Sequence, residues 1–440
     1  MRTHRSFPLL LAALLAAAPA LANEKEFLKA AKSNDRAGMV KAAEGIADAP
    51  DAKGLKALVM VGALVESSDV YSACREAIAK AAQGELLKEV EKLLKASKRT
   101  EQKTLCIDGL GGSGNKDAVP ALAGALDDKD KVVRISAIMA LTRMQLKECI
   151  PPLFERLNEV GFKSKDAEAE ELYDSLHKLT GQAFEALEDW KKWWETVQGD
   201  FDPKNKKTDA GSGTRMRDSS GEGKIFESMV RSQAFVLVLD ISSSMRVIDL
   251  PEGESWKDPK SGKELKYKDP DPKGTKAPVP DSRFVRAQDA FCKFIEGMSE
   301  RARFAIVVFA DEKETRLWKP DVVPASASNK KSAIAFVRGL KWSGATRTDM
   351  ALDLAFKVKG ADTIYLFSDG IPEKTQGGKS VDIPQDEVLE KARTLNRARK
   401  LRLNCYGMTS SGKTRAFLEK LASENGGEYK DIRVPAKKKP

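Results

Sequence analysis

Two carboxylates and three hydroxyls stand at the ends of apolar runs or in a loop between them, and all five side chains offer hard oxygen donors. Asp240-Ile241-Ser242-Ser243-Ser244 follows the continuous apolar run Phe235-Val236-Leu237-Val238-Leu239. Alternation of Asp240, Ser242 and Ser244 lets all three side chains turn inward from one loop. Thr346 lies in Ser343-Gly344-Ala345-Thr346-Arg347-Thr348-Asp349, just ahead of Ala351-Leu352. Asp369 lies in Ser368-Asp369-Gly370, directly after Thr363-Ile364-Tyr365-Leu366-Phe367. Brought together, Asp240, Ser242, Ser244, Thr346 and Asp369 form a donor set for Mg²⁺, or for Mn²⁺ and Ca²⁺ under other conditions. They suit zinc or copper poorly.

Strands and helices must alternate to bring these residues together. Phe235–Leu239, Phe304–Phe309, Thr363–Phe367 and Leu401–Tyr406 read as buried strands of a parallel sheet, and Gly427-Glu428-Tyr429 opens an edge strand. Between them, Phe284, Ala287, Phe291, Phe294, Ile295 and Met298 make one helical face. Further helices are expected over about 329–339, after Asp349, over 385–400 and over 414–424. The pattern predicts an open α/β sheet, doubly wound, with its ligand site beyond the carboxyl ends of the strands.

The order DxSxS, distant Thr, distant Asp resembles the von Willebrand factor A family and its metal-ion-dependent adhesion site. Asp240, Ser242 and Ser244 match the first part, Thr346 the second and Asp369-Gly370 the third. The resemblance covers about Lys224 to Ile432. It implies that Ser242 and Ser244 coordinate directly, Asp240 and Asp369 directly or through water, and Thr346 either way with conformation. One position would stay open for a partner's carboxylate. Ser243 and Ala345 depart from the pattern, standing where glycines are common, which implies slightly stiffer loops. Arg347 beside Thr346 is a third departure; it pairs with Asp349 or reaches an acidic partner.

Upstream, residues 23–198 read as helix after helix. Gly109-Leu110 recurs as Ala140-Leu141, Lys116–Leu122 as Lys147–Leu153, and Leu126 as Leu157, always 31 residues on. Pro120 and Pro151 fit the first turn of a helix, where a missing N–H costs nothing. The turn Asp127-Asp128-Lys129-Asp130 leads into Val132-Val133-Arg134 and Ala137 to Leu141. That pattern resembles HEAT-like repeats and implies a short stack of helix pairs, of a kind that usually binds proteins. Two weaker units are expected across Leu55–Ser97. Trp190, Trp193, Trp194 and Val197 share one helical face. They read as a cap on the end of the stack, with a carbohydrate or membrane platform as the alternative.

The expected organisation is then a signal peptide (1–22), a helical domain (23–198), a linker (199–223), the α/β domain (224–434) with an insertion at 251–280, and a basic tail (435–440). Arg2, His4 and Arg5, the apolar run Pro8–Ala18 and Ala20-Leu21-Ala22 read as a cleaved secretory signal, with an uncleaved anchor as the alternative. The expected address is secreted or periplasmic. No second run is long enough to span a membrane. The formal charge of +10 is spread among alternating lysines and acids, and export argues against a nucleic-acid partner. Five cysteines, widely spaced and without CxxC, read as buried thiols, a disulfide between helices being the alternative. Past the signal, His177 is the sole histidine, which leaves little material for Ser/His or Cys/His catalysis. No glycine-rich phosphate loop occurs.

A binding protein that grips an acidic residue of a protein partner through Mg²⁺ is the first expectation, and an enzyme is not. A structural envelope protein with a stabilising metal and a Mg²⁺-dependent hydrolase are the rivals. Arg246 and Arg347 are expected to steer the acidic surface, and the insertion to be a solvated loop or a specificity loop. The sequence leaves the oligomeric state open.

Overall fold

The computed structural model describes residues 23–164, 166–206, 224–225, 228–229, 232–251, 254–257, 262–269, 279–397, 399–409 and 412–434. The expected signal at 1–22, most of the linker, the tail at 435–440 and parts of the insertion lie outside these residues. The chain divides into two compact units, Met1–Arg217 and Asp218–Pro440.

The first unit is all-helical: α1 (23–32), α2 (Arg36–Asp48), α3 (Ala52–Met60), α4 (Ser68–Ala81), α5 (Gly84–Ala96), α6 (Thr100–Ser113), α7 (Val119–Gly124), α8 (Lys131–Met144), α9 (Ile150–Val160), α10 (Ala167–Thr180) and α11 (Leu187–Val197). The even helices stack in order, α4 on α2, α6 on α4, α8 on α6 and α10 on α8. Pro120 and Pro151 both sit in the first turn of their helices, as the repeat requires. The acidic turn is held from both sides. Asp130 caps α8 by accepting from Val132 N at 2.9 Å, and Lys103 pairs with Asp128. Arg134 reaches the carbonyls of Asp128 and Lys129 (2.9 and 3.2 Å) and also binds buried Glu168, which Arg156 shares. Gly111 lets α6 approach α8 closely, since a Cβ there would lie 2.6 Å from the Ala140 methyl.

Trp190 is fully buried and donates through Nε1 to Phe184 O at 3.2 Å. Trp193 meets it edge to face, Phe201 packs edge to face on Trp193 and Trp194, and all three rest against the same core. The tryptophans therefore close the stack. Cys74, Cys106, Cys149, Cys292 and Cys405 are all buried thiols. Burial pushes the Cys106 and Cys149 thiols up to about 12, so they stay protonated and inert.

The second unit is built on seven strands: β1 (Ala234–Asp240), β2 (Arg303–Phe309), β3 (Arg316–Leu317), β4 (Val323–Pro324), β5 (Thr363–Ser368), β6 (Arg402–Met408) and β7 (Tyr429–Ile432). The order is β4-β2-β1-β5-β6-β7, with β3 also on β2. β1, β2, β5, β6 and β7 are parallel, while short β3 and β4 run antiparallel to β2. Alternate residues of each long strand feed opposite cores. Phe235, Leu237, Leu239, Ile306 and Phe367 face α12 (Arg283–Gly297) and α13 (Ala327–Arg338). Val236, Val238, Val307, Leu366 and Leu403 face α14 (Thr348–Lys357), α15 (Gln385–Asn396) and α16 (Gly412–Glu424). The sheet is covered on both sides, as its continuous apolar strands demand. From β1 the chain crosses by α12 to β2 on one side, then returns past β1 through α14 to β5 on the other. The point where the order reverses lies between the ends of β1 and β5, where Asp240 and Asp369 stand.

Sequence periodicity missed β3, β4 and four two-stranded ribbons. One ribbon pairs Glu373–Gln376 with Lys379–Asp382, almost wholly exposed. Two more shape the insertion: Ile248–Asp249 pairs with Tyr267–Lys268, and Trp256–Lys257 with Glu264–Leu265. The insertion is thus not a plain solvated loop where it is described. Its root is folded against the sheet end.

Candidate functional site

Five parallel strands carry their carboxyl ends to one rim, and two of them deliver the carboxylates. Asp240 closes β1, is fully buried, and accepts from Ser242 N at 2.8 Å and from Ser368 Oγ at 2.6 Å. Ser368 is the last residue of β5, so its hydroxyl ties the two strand ends together. The Ser242 and Ser244 hydroxyls lie 3.0 Å apart, and Ser244 Oγ donates to Asp369 Oδ1 at 2.7 Å. Thr346 joins them across Gly370. A Cβ built at Gly370 would lie 3.1 Å from Thr346 Oγ1 and 3.6 Å from Ser244 Oγ, so the glycine is what lets those hydroxyls close in. All five residues singled out from the sequence are thereby brought to one place.

The loops reach this geometry without strain at the two departures. Ser243 opens a short 3₁₀ turn, Ser243–Arg246, and neither it nor Ala345 has positive φ. The left-handed position of the second loop falls on Gly344 (φ +72°), where a Cβ would collide with Asp311 Oδ2 at 2.4 Å. Two backbone bonds lock the loops together, Ser243 N to Gly344 O (3.0 Å) and Ser343 N to Ile241 O (2.8 Å).

Electrostatics mark the same point. Burial, and then the negative charge of Asp369, push the Asp240 carboxyl up to about 7. Two buried carboxylates so close repel each other, and a cation between them would relieve that repulsion. One such charge is already present. Arg283, the first residue of α12, donates through Nη1 to Asp369 Oδ2 at 2.6 Å, and its other arm binds buried Asp249. The neighbouring carboxylates hold the Arg283 guanidinium firmly charged. Ser368 and Arg283 are the contributors that sequence reasoning gave no role. Ser368 stands in the Ser368-Asp369-Gly370 motif, but its partner lies 128 residues away, and Arg283, whose partner lies 86 residues away, has no local mark.

The two expected steering arginines are already engaged. Arg246 makes a forked ion pair with Asp269 of the insertion (2.6–3.1 Å) and donates to Ser243 O. Arg347 makes a fork with Asp349, both bonds at 2.8 Å. For Arg347 the structure shows the first of its two expected contacts, the pair with Asp349, and Arg246 is likewise paired within the chain. Each fork leaves much of the arginine's positive field neutralised at the rim.

The donor set fits a small hard cation. Among the described residues no group of three or more His, Cys, Asp or Glu side chains gathers to hold a metal. Here the carboxylates are two, and hydroxyls make up the rest.

Residues 282–431 match the model of the von Willebrand factor type A domain, and residues 87–162 match that of HEAT repeats. The C-terminal unit carries a von Willebrand factor type A domain. Its matched span includes Thr346 and Asp369, while Asp240, Ser242 and Ser244 precede it. Inter-alpha-trypsin inhibitor heavy chain H4 of Homo sapiens is 30% identical over 157 residues, covering 33% of this chain and 16% of that protein. The Bos taurus protein is 29% identical over the same shares. The chain thus spans about a sixth of the length of these curated relatives. Solved structures similar to it include a von Willebrand factor type A protein from Catenulispora acidiphila (19% identity, TM-score 0.32, 47% of this chain and 40% of that one). The pilus adhesin SpaC from Lactobacillus rhamnosus GG is another (12% identity, TM-score 0.31, 45% and 28%).

Packing around Gly370 of the von Willebrand factor A domain yields a direct test. Gly370→Ala must push Thr346 outward by a few tenths of an ångström, because 3.1 Å is tighter than an ordinary carbon contact. Divalent-ion affinity, measured by calorimetry, should fall by about tenfold with the fold intact by circular dichroism. Unchanged affinity would show that Thr346 takes no part in binding.

Proposed function

We propose that this is an exported, metal-dependent protein-binding chain whose von Willebrand factor A face grips an acidic residue of a protein partner. In this reading Asp240, Ser242, Ser244, Thr346 and Asp369 hold one Mg²⁺, with Mn²⁺ as a close substitute. The bound cation supplies a coordination position that a partner's carboxylate can fill, since a carboxylate is both anionic and hard. The observation that carries the reading is the linked set Ser242–Ser244–Asp369, held beside a buried Asp240 whose carboxyl is pushed up by burial and by the charge of Asp369. The helical stack supplies a second docking surface. Binding without catalysis fits a site built of carboxylates and hydroxyls, with neither histidine nor cysteine in it.

Export rests on the basic start, apolar run and Ala20-Leu21-Ala22 of the first 22 residues. No helix of the described residues is long and apolar enough to cross a membrane. Because Arg246 and Arg347 are internally paired, long-range steering is weak in this reading, and the metal contact itself must supply most of the affinity.

The test is capture of partners from the envelope or secreted fraction with tagged full-length chain in Mg²⁺ and in excess EDTA. Complexes should form in Mg²⁺, vanish in EDTA, and weaken with Thr346→Ala. A partner held equally well in EDTA would move recognition to the helical stack and refute the metal-bridged contact.

A further inference from the structure

We infer that Arg283 is a built-in counter-cation shared between Asp369 and Asp249, so that the root of the 251–280 insertion sets how tightly the site holds its metal. The inference rests on the metal reading above. Asp369 spends one oxygen on Ser244 and the other on Arg283, at 2.7 and 2.6 Å. A divalent cation approaching that carboxylate therefore meets a guanidinium already seated on it. The remaining arm of Arg283 is held by Asp249, at 2.8 Å through Nε and 2.7 Å through Nη2. Asp249 is itself buried and takes a second arginine, Arg286, at 2.8 Å. Tyr267, which pairs with Asp249 in the ribbon, lays its ring 5.6 Å from the guanidinium carbon. The relay Arg286–Asp249–Arg283–Asp369 thus runs from the insertion's root to a ligand of the site.

Placement of Arg283 argues that these contacts hold it there. It is the first residue of α12, where the helix dipole disfavours a cation. Its side chain is only 10% exposed, so the carboxylates on both sides must offset both costs. Coulomb attraction divides the guanidinium between Asp249 and Asp369. Whatever weakens one attachment strengthens the other, and the metal feels the difference in the charge left on Asp369.

Opposite signs follow for two substitutions. Arg283→Gln removes the competing charge and should tighten Mg²⁺ by about tenfold, while lowering the melting temperature of the metal-free chain. Asp249→Asn releases Arg283 to Asp369 alone and should weaken Mg²⁺ by several-fold. Arg286→Gln, at a more exposed position, leaves Asp249 to draw Arg283 away and should tighten Mg²⁺ modestly; it carries the test if a buried variant fails to fold. The measurement is calorimetric titration of the full chain with MgCl₂ and with MnCl₂, beside thermal unfolding in EDTA. Shifts of opposite sign for Asp249→Asn and Arg286→Gln support the relay. Shifts of the same sign, or none, overturn it. A wild-type chain that takes up neither ion overturns the metal reading and this inference with it, whereas normal wild-type uptake with unshifted variants overturns the relay alone.

Discussion

Asp240→Asn should abolish divalent-ion binding and make the metal-free protein more stable. Both halves follow from the burial of one carboxylate. Asp240 has no exposed surface, and its neighbours are a backbone N–H, the Ser368 hydroxyl and the charge of Asp369. The amide of asparagine is nearly isosteric. Its Oδ1 can still accept from Ser242 N, and its Nδ2 can donate to a rotated Ser368 hydroxyl. What the substitution removes is the buried charge. Since burial and then the charge of Asp369 push the folded carboxyl up to about 7 from an ordinary value of 3.8, the native state holds its proton more tightly than the unfolded chain does. Such a group costs no stability below the ordinary carboxylate range, where both states are protonated. Its cost grows as pH rises towards 7 and is constant above. Asparagine escapes that cost, so the variant should gain on the order of 1–3 kcal/mol at pH 8 and nothing at pH 3.5. Loss of an anionic ligand should weaken Mg²⁺ by at least about a hundredfold. Thermal unfolding in EDTA at the two pH values, with calorimetric titration at pH 8, checks both halves. A variant that is less stable at pH 8, or that still binds Mg²⁺ normally, would remove Asp240 from the proposed site.

The sequence made the donor set legible because each member sits within a residue or two of a strand end or in a short motif of its own. Phe235–Leu239 and Thr363–Phe367 are continuous apolar runs, and such runs fix where a buried parallel strand stops. The 31-residue recurrence was legible for the same reason: proline, turn acids and the Val133-Arg134 pair are local marks. What stayed hidden is held by distant partners. Arg283 reads as the start of an amphipathic helix, yet its role comes from Asp249 and Asp369, on two other segments. Arg246 reads as a free basic residue beside the motif, and only the fold of the insertion brings Asp269 to it. The ribbon Glu373–Asp382 escaped because its residues are polar on both faces, leaving no alternation to detect. The two glycine departures looked like stiffening in sequence. The folded backbone accommodates both without strain, since in these two loops it is Gly344 that takes the left-handed angle.

Trp190→Ala should cost the helical unit about 3–5 kcal/mol while leaving divalent-ion binding untouched. Trp190 is the largest wholly buried side chain and belongs to the core of the helical unit. Phe154 stacks on it at 6.1 Å, and Phe184 and Trp193 meet it edge-on at 5.0 and 5.9 Å. Its Nε1 hydrogen bond to Phe184 O fixes the turn before α11. Alanine would leave a cavity beside Trp193, the ring through which Trp194 and Phe201 are joined to Trp190. Losing the end of a stack matters more than losing its middle, since the terminal helices shield the open face of the repeats from water. The residues around Trp190 share no core with those around Asp240, which lie between two other apolar clusters on either side of the sheet. Calorimetric unfolding of the variant should therefore show one transition lowered and another unmoved, and a Mg²⁺ titration below the first transition should match the wild type. A single transition that shifts as a whole would show that the two units unfold together. A loss under about 1 kcal/mol would show that the tryptophans are not what closes the stack, and would return them to candidacy as a binding platform.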